Sequence, residues 1–325
     1  SRKAVLLVSV LVMSPGAQAE TFQLDLLETE SLRLLYIDPM ATYLTPHVGR
    51  SFHNSLAFQE KVFNWRPWEK TSVLLTDFRD YGNASAGVVP TNLVQLDIAP
   101  LSRSYETFSA SERIYMTMNH EMVHVATTDV WNTQDARWRR AFFGKPAPSQ
   151  AHPESILYLY LATPRVATPR WYTEGSAVFM ETWMAGGLGR AQGAFDEMVF
   201  RAMVRDDAHF YSNLGLVAEG TRVDFLVGVN AYLYGTRFFS YLAMEYSPEQ
   251  VVEWLSRAED SERYYASQFE RVFGKPLEES WEDWIAWEHD FQSENLAAVR
   301  KHPLTPARHL VDRGVGSVSR STRCL

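Results

Sequence analysis

Residues 109–125 read SASERIYMTMNHEMVHV, and the choice of fold turns on them. Ser109, followed three residues later by Glu112, has the form of a capping box, so a helix is expected to begin here. Tyr115, Met118, Met122 and Val125 then recur at helical spacing and form one apolar face. Thr117, His120, Glu121 and His124 fall on another face, which is expected to border a cleft.

His120-Glu121-Met122-Val123-His124 is an H-E-x-x-H sequence. Residues four apart on a helix lie one above the other, so both imidazoles can reach a single ion. Glu121 then stands beside the water of that ion, placed to take its proton. Zinc suits such a site because it polarises a carbonyl and lowers the pKa of its water to about 7. A helix carrying two ordinary surface histidines would show the same residues. The only cysteine is Cys324, so an internal disulfide and a thiolate-held metal are both excluded, and any ligands must be histidines and carboxylates.

A catalytic zinc needs a third protein ligand. The metzincin extension would place Gly at 127 and His at 130, where the chain has Thr127 and Val130, so that class is excluded. A carboxylate on a second helix is the other common solution. Glu174 in Trp171-Tyr172-Thr173-Glu174-Gly175-Ser176-Ala177 fits, because it opens a predicted helix whose next residues are small enough to approach the metal helix closely. Stabilisation of that helix N-terminus is the competing explanation for Glu174. Asp129 and Glu181 are candidates to orient a ligand histidine through its second nitrogen, against simple surface solvation. His47, His53, His152, His289, His302 and His309 lack ligand spacing, and His209 is kept only as an extra transition-state donor.

Around these residues the pattern is α+β. Strands are expected at 31–37, 72–76 and 94–98, a helix at 51–65, and a turn or mobile loop at Gly82-Asn83-Ala84-Ser85. Val94 to Ile98 is expected to be an edge strand above the site, where an extended substrate would pair by β-augmentation. Residues 131–170 hold five prolines and the patch Arg137-Trp138-Arg139-Arg140, read as a solvated helix with a lid near the site as the alternative. Helices follow at 171–185, 195–205, 229–246, 248–258, 261–273 and 277–298, with Trp281, Trp284 and Trp287 as core.

His120 to His124 together with Trp171 to Gly175 resembles the gluzincin metallopeptidases, especially peptidase MA-like domains related to the catalytic domain of aminopeptidase N. The resemblance spans roughly residues 25–298, including Phe273-Gly274-Lys275-Pro276-Leu277 near its end, although only the two zinc segments are specific. It implies a thermolysin-like zincin fold: a small mixed sheet with the H-E-x-x-H helix, then a mainly helical C-terminal half. It further implies that His120, His124 and Glu174 bind zinc, and that the 50 residues between His124 and Glu174 contain an insertion. Relatives carry a Tyr-x-x-Gly element whose hydroxyl stabilises an oxyanion. Tyr232-Leu233-Tyr234-Gly235 matches it, so Tyr232 inherits that role, with Tyr234 as fallback and aromatic packing as the competing explanation. The aminopeptidases' Gly-x-Met-Glu-Asn segment has no counterpart here, since Gly87-Val88-Val89-Pro90 carries no carboxylate.

The bulk composition fits this picture. With 325 residues, 46% of them hydrophobic, the chain can bury a large core, and its formal charge of -8 offers no broad basic surface for nucleic acid. Arg2 and Lys3, an apolar run from Ala4 to Met13, and Ala17-Gln18-Ala19 read as a secretory signal over residues 1–19; the run is too short to span a bilayer. The expected organisation is an α+β subdomain over 20–130 ending in the metal helix, a helical subdomain over 131–300 with the third ligand, and a tail or linker into a further module over 301–325. The expected function is extracytoplasmic, zinc-dependent hydrolysis of peptide or protein substrates, with Glu121 as general base. The competing class is a non-catalytic envelope module that keeps the fold.

Overall fold

The computed structural model describes residues 23–80, 82–99, 112–218, 228–303 and 305–306. The signal segment, Ser109, Cys324 and nearly all of the tail lie outside the described residues. Five strands form one mixed sheet: β1 (Gln23–Glu28), β2 (Leu32–Asp38), β3 (Thr71–Thr76), β4 (Ala84–Gly87) and β5 (Leu93–Asp97). Their spatial order is β1-β2-β3-β5-β4, with β1 and β4 antiparallel to their neighbours and the middle pairs parallel. Alternation decides which face is covered: Leu32 and Leu34 of β2, Val73 and Leu75 of β3, and Val94 and Leu96 of β5 are all buried. Helix α1 (Thr45–Phe63) joins β2 to β3 and buries Val48, Phe52, Leu56 and Phe63 at helical spacing. It ends at Asn64, whose φ of 47° is the left-handed cap.

Two sequence expectations about the sheet are corrected. Ala84 and Ser85, expected in a turn or mobile loop with Gly82 and Asn83, instead begin a strand, Ala84–Gly87, that pairs with β5 from Ala84 opposite Leu96 to Gly87 opposite Leu93. Val94 to Ile98 is accordingly not an edge: β5 is hydrogen-bonded on both sides, and β4 is the edge strand. β1, mostly exposed, was not anticipated.

Helix α2 (Arg113–Thr128) begins where Glu112, itself the N-cap, accepts bonds from the Ile114 and Tyr115 amides at 3.1 and 2.6 Å. Then follow α3 (Thr133–Ala141), α4 (Ser155–Ala162), α5 (Arg170–Met184), α6 (Ala194–Arg205), α7 (Asn213–Ala218), α8 (Asn230–Glu245), α9 (Pro248–Leu255), α10 (Tyr265–Phe273) and α11 (Leu277–Val299). α9 stops early and α10 starts late, because the chain between them carries Arg257 inward to Asp135, Nε to Oδ2 at 2.7 Å. The Arg137–Arg140 patch is not a fully solvated face either. Arg139 is buried and donates to Asp129 at 2.9 Å.

One cluster of buried apolar side chains runs from Leu32 to Trp284, through sheet and helices alike. Trp171, Phe238, Trp281 and Trp284 form its densest part, with Trp171 and Trp281 ring centroids 4.8 Å apart. Trp287 is only half-buried, against Tyr241. No helix among the described residues is long and apolar enough to cross a membrane.

α5 packs on α2 as expected, and Gly175 also allows a close approach to a second helix. Gly175 of α5 meets Gly235 of α8: a Cβ on Gly175 would stand 2.6 Å from the Gly235 Cα. Gly235→Ala should therefore lower stability by about 2–3 kcal/mol through overpacking, read as a fall in the urea midpoint at unchanged slope.

Candidate metal centre

Helical geometry puts His120, Glu121 and His124 along one stretch of α2, and Glu174, Val178 and Glu181 along one face of α5. Where the two helices pack, three donor atoms converge. His120 Nε2 and His124 Nε2 are 3.1 Å apart, and Glu174 Oε2 is 3.3 and 3.2 Å from them. Four ligands about 2.0–2.1 Å from a tetrahedral ion stand about 3.3 Å from one another. The three edges match that figure, so the residues present fit a zinc ion with one position left over.

The second nitrogen of His120 is also held. Its Nδ1 lies 2.7 Å from Glu181 Oε2, and Arg190 grips Glu181 with Nε and Nη2 at 2.7 and 2.8 Å. Arg190 Nη2 is also 2.8 Å from Nδ1, but Nδ1 cannot both accept from Arg190 and donate to Glu181. The ionised carboxylate settles the tautomer: Nδ1–H donates to Glu181, leaving the Nε2 lone pair for a metal. Burial pushes Glu181 up, yet Arg190 and His120 outweigh it and hold the carboxyl at about 2. Burial likewise pushes His120 down, but with no ion bound the bonds to Glu174 and Glu181 lift it to about 9, so a metal would take the place of the Nε2 proton. Glu174 is driven up by burial and pulled far below the usual carboxylate range by the two histidines.

These groups line a cavity of about 630 Å³, with Glu121 and Tyr232 also on its wall. Glu121 is buried, which raises its carboxyl, and it makes no hydrogen bond among the described residues. Tyr232 stacks on His120 with centroids 6.1 Å apart and 21° between planes. Arg170 and Arg190 flank the same ring, with guanidinium carbons 5.6 and 5.4 Å from its centroid. Burial and the Glu174 charge raise the Tyr232 phenol, so its hydroxyl keeps its proton. β4 runs along the opening, where Ala84, Ser85 and Ala86 line the cavity.

His120, Glu121, His124, Glu174 and Tyr232 are thus brought together, and other expectations are not. Glu181 orients His120 from a buried position rather than lying on the surface. Asp129 is buried too, but it serves Arg139, Lys145, Asn92 and the Trp68 amide at the end of α2, away from the histidines. Tyr234 is packed in the core beside Trp281 and does not line the cavity. His209 is exposed against Tyr211, outside the cavity lining. Of residues 131–170, only Arg170 lines the cavity. Sequence reasoning missed Arg170, Arg190 and Asp196. Only Arg170 gave a readable signal, its i,i+4 spacing to Glu174, to which Nε donates at 3.3 Å.

No protein-family profile matches the chain, and no curated protein matches it significantly.

Removing the negative charge behind His120 should loosen the metal without removing a ligand. Glu181→Gln is expected to weaken zinc affinity about 10- to 100-fold in a chelator competition.

Proposed function

We propose that this chain is a zinc-dependent peptidase of the gluzincin type, acting outside the cytoplasm, with a thermolysin-like arrangement of sheet and metal helix. One observation carries the reading: donors from α2 and α5 converge at tetrahedral spacing beside an unpartnered, buried glutamate that faces a cavity. His120, His124 and Glu174 would hold the zinc. When bound, it supplies Lewis acidity that polarises a carbonyl and acidifies water.

The chain's own groups divide the remaining work. Glu121 accepts the proton of the attacking water and returns it to the leaving amine; its raised pKa suits a group that must do both. Tyr232 keeps its hydroxyl proton and can donate to an oxyanion in the cavity. Arg170 steadies Glu174 by bonding its Oε1, which leaves Oε2 turned to the histidines. Arg190 and Glu181 fix His120 in the tautomer that presents Nε2. An extended peptide finds its pairing edge on β4, which lies beside the cavity and has no strand partner on its outer side among the described residues. The extracytoplasmic placement rests on residues 1–19 alone.

Glu121→Gln should keep stoichiometric zinc by elemental analysis while peptide cleavage falls at least about 10³-fold, and wild-type turnover by this variant would refute the base assignment. Tyr232→Phe should lower kcat about 10²-fold with little change in KM, as expected for a donor engaged mainly in the transition state. Zinc-loaded protein that cleaves no member of a peptide library would instead favour a binding module.

A further inference from the structure

Besides Glu121, one more carboxylate in the cavity wall is left without a partner. Asp196, in the first turn of α6, is 7% exposed, lines the cavity, and makes no hydrogen bond or ion pair among the described residues. A first-turn aspartate commonly serves its own helix by reaching back to the N-cap amide. Here that amide, Gly193 N–H, donates to the Arg190 carbonyl at 2.9 Å. Asp196 is not used as a cap.

The cations that act on Asp196 are already paired. Arg190 makes bonds of 2.7 and 2.8 Å to Glu181, and Arg237 makes bonds of 3.0 and 2.9 Å to Glu288. Each guanidinium is thus committed to another carboxylate, Arg237 also lying 3.9 Å from Glu197, and neither bonds Asp196. Burial raises the Asp196 carboxyl to about 7 against the pull of both arginines. A buried carboxylate without a counter-ion is costly, and a neutral donor relieves only part of that cost. A cation entering the cavity relieves it fully.

We propose that Asp196 forms a subsite for a cationic group of the substrate, either the protonated amine or guanidinium of a side chain or a free N-terminal amine. The subsite rests on the peptidase reading above for the identity of its ligand as a peptide. Its position on α6, apart from the metal-bearing α2 and α5, makes it a specificity device and not part of the bond-breaking machinery.

The test is equilibrium binding of fluorescent hexapeptides to zinc-loaded Glu121→Gln protein. The peptides are N-acetylated and alanine-rich, with a single lysine moved through the six positions, and each has a norleucine counterpart. One further neutral peptide keeps its free N-terminus. Lysine at one position, or the free N-terminus, should tighten binding tenfold or more over the matched neutral peptide, and which of the two does so identifies the source of the cation. Adding Asp196→Asn should bring the pair within twofold, and Asp196→Glu should restore part of the preference; Asp196→Ser replaces the asparagine variant if that one melts early. Equal binding of cationic and neutral peptides, no binding of any peptide, or a preference that survives Asp196→Asn overturns the subsite. The two proposals fail separately. A cation preference lost with Asp196, in a protein whose wild type cleaves nothing, sinks the hydrolase and keeps the subsite; cleavage with no such preference does the reverse.

Discussion

Where α5 crosses α8, Gly175 and Gly235 meet backbone to backbone, and the part of the cavity wall on these two helices takes its position from that contact. Glu174 is the neighbour of Gly175 in sequence, and Tyr232 lies three residues before Gly235. Side chains between the two helices would push Glu174 away from the imidazoles of α2 and Tyr232 away from His120. Behind the crossing, Trp171 and Phe238 from these same helices pack on Trp281 and Trp284, so the contact is backed by large buried aromatic surfaces. A metal site needs its donors fixed within a few tenths of an ångström, and a dense core behind two touching backbones can supply that stiffness.

Burying so many charges is costly unless each finds an opposite. The centre meets this by alternation: Arg190 on Glu181, Glu181 on His120, His120 and His124 on Glu174, Glu174 on Arg170. Helix α2 is fixed at both ends by the same chemistry. Glu112 caps its start, while Asp129 at its end gathers Arg139, Lys145, Asn92 and the Trp68 amide. That second network ties α2 to α3 and to the segments leading into β3 and β5, although none of its members lines the cavity. Two carboxylates in the cavity stand outside this pairing, Glu121 beside the two imidazoles and Asp196 on α6. Each is free to answer to something that enters.

The sheet illustrates how a sequence can give a strand and hide its position. Alternation in Val94 to Ile98 identified β5 because the two-residue period is a property of the segment itself. Its place in the sheet depends on whether another segment pairs with it, and Ala84–Gly87, all small residues, gives no alternating signal to announce that pairing. The helices beyond residue 170 were readable for the same reason as β5, from their 3.6-residue period, while α7, at six residues, is too short to show one. The Arg137–Arg140 run looked solvated because a charge pattern does not reveal a buried partner such as Asp129.

By itself the sequence determined that His120 and His124 share one helical face with Glu121 beside them, since that geometry is set by bonds and hydrogen bonds within a single helix. It likewise determined that no thiolate could take part and that Glu174 stood on a helix of its own. Only the tertiary structure decided that Glu174 reaches both imidazoles, that Glu181 and not Asp129 stands behind His120, that Arg190 closes the chain of charges, and that Asp196 is left over. These relations join residues on separate elements, as many as 70 positions apart. They exist only because the helices cross at particular points, and those crossings are set by which side chains, or missing side chains, meet where the helices touch.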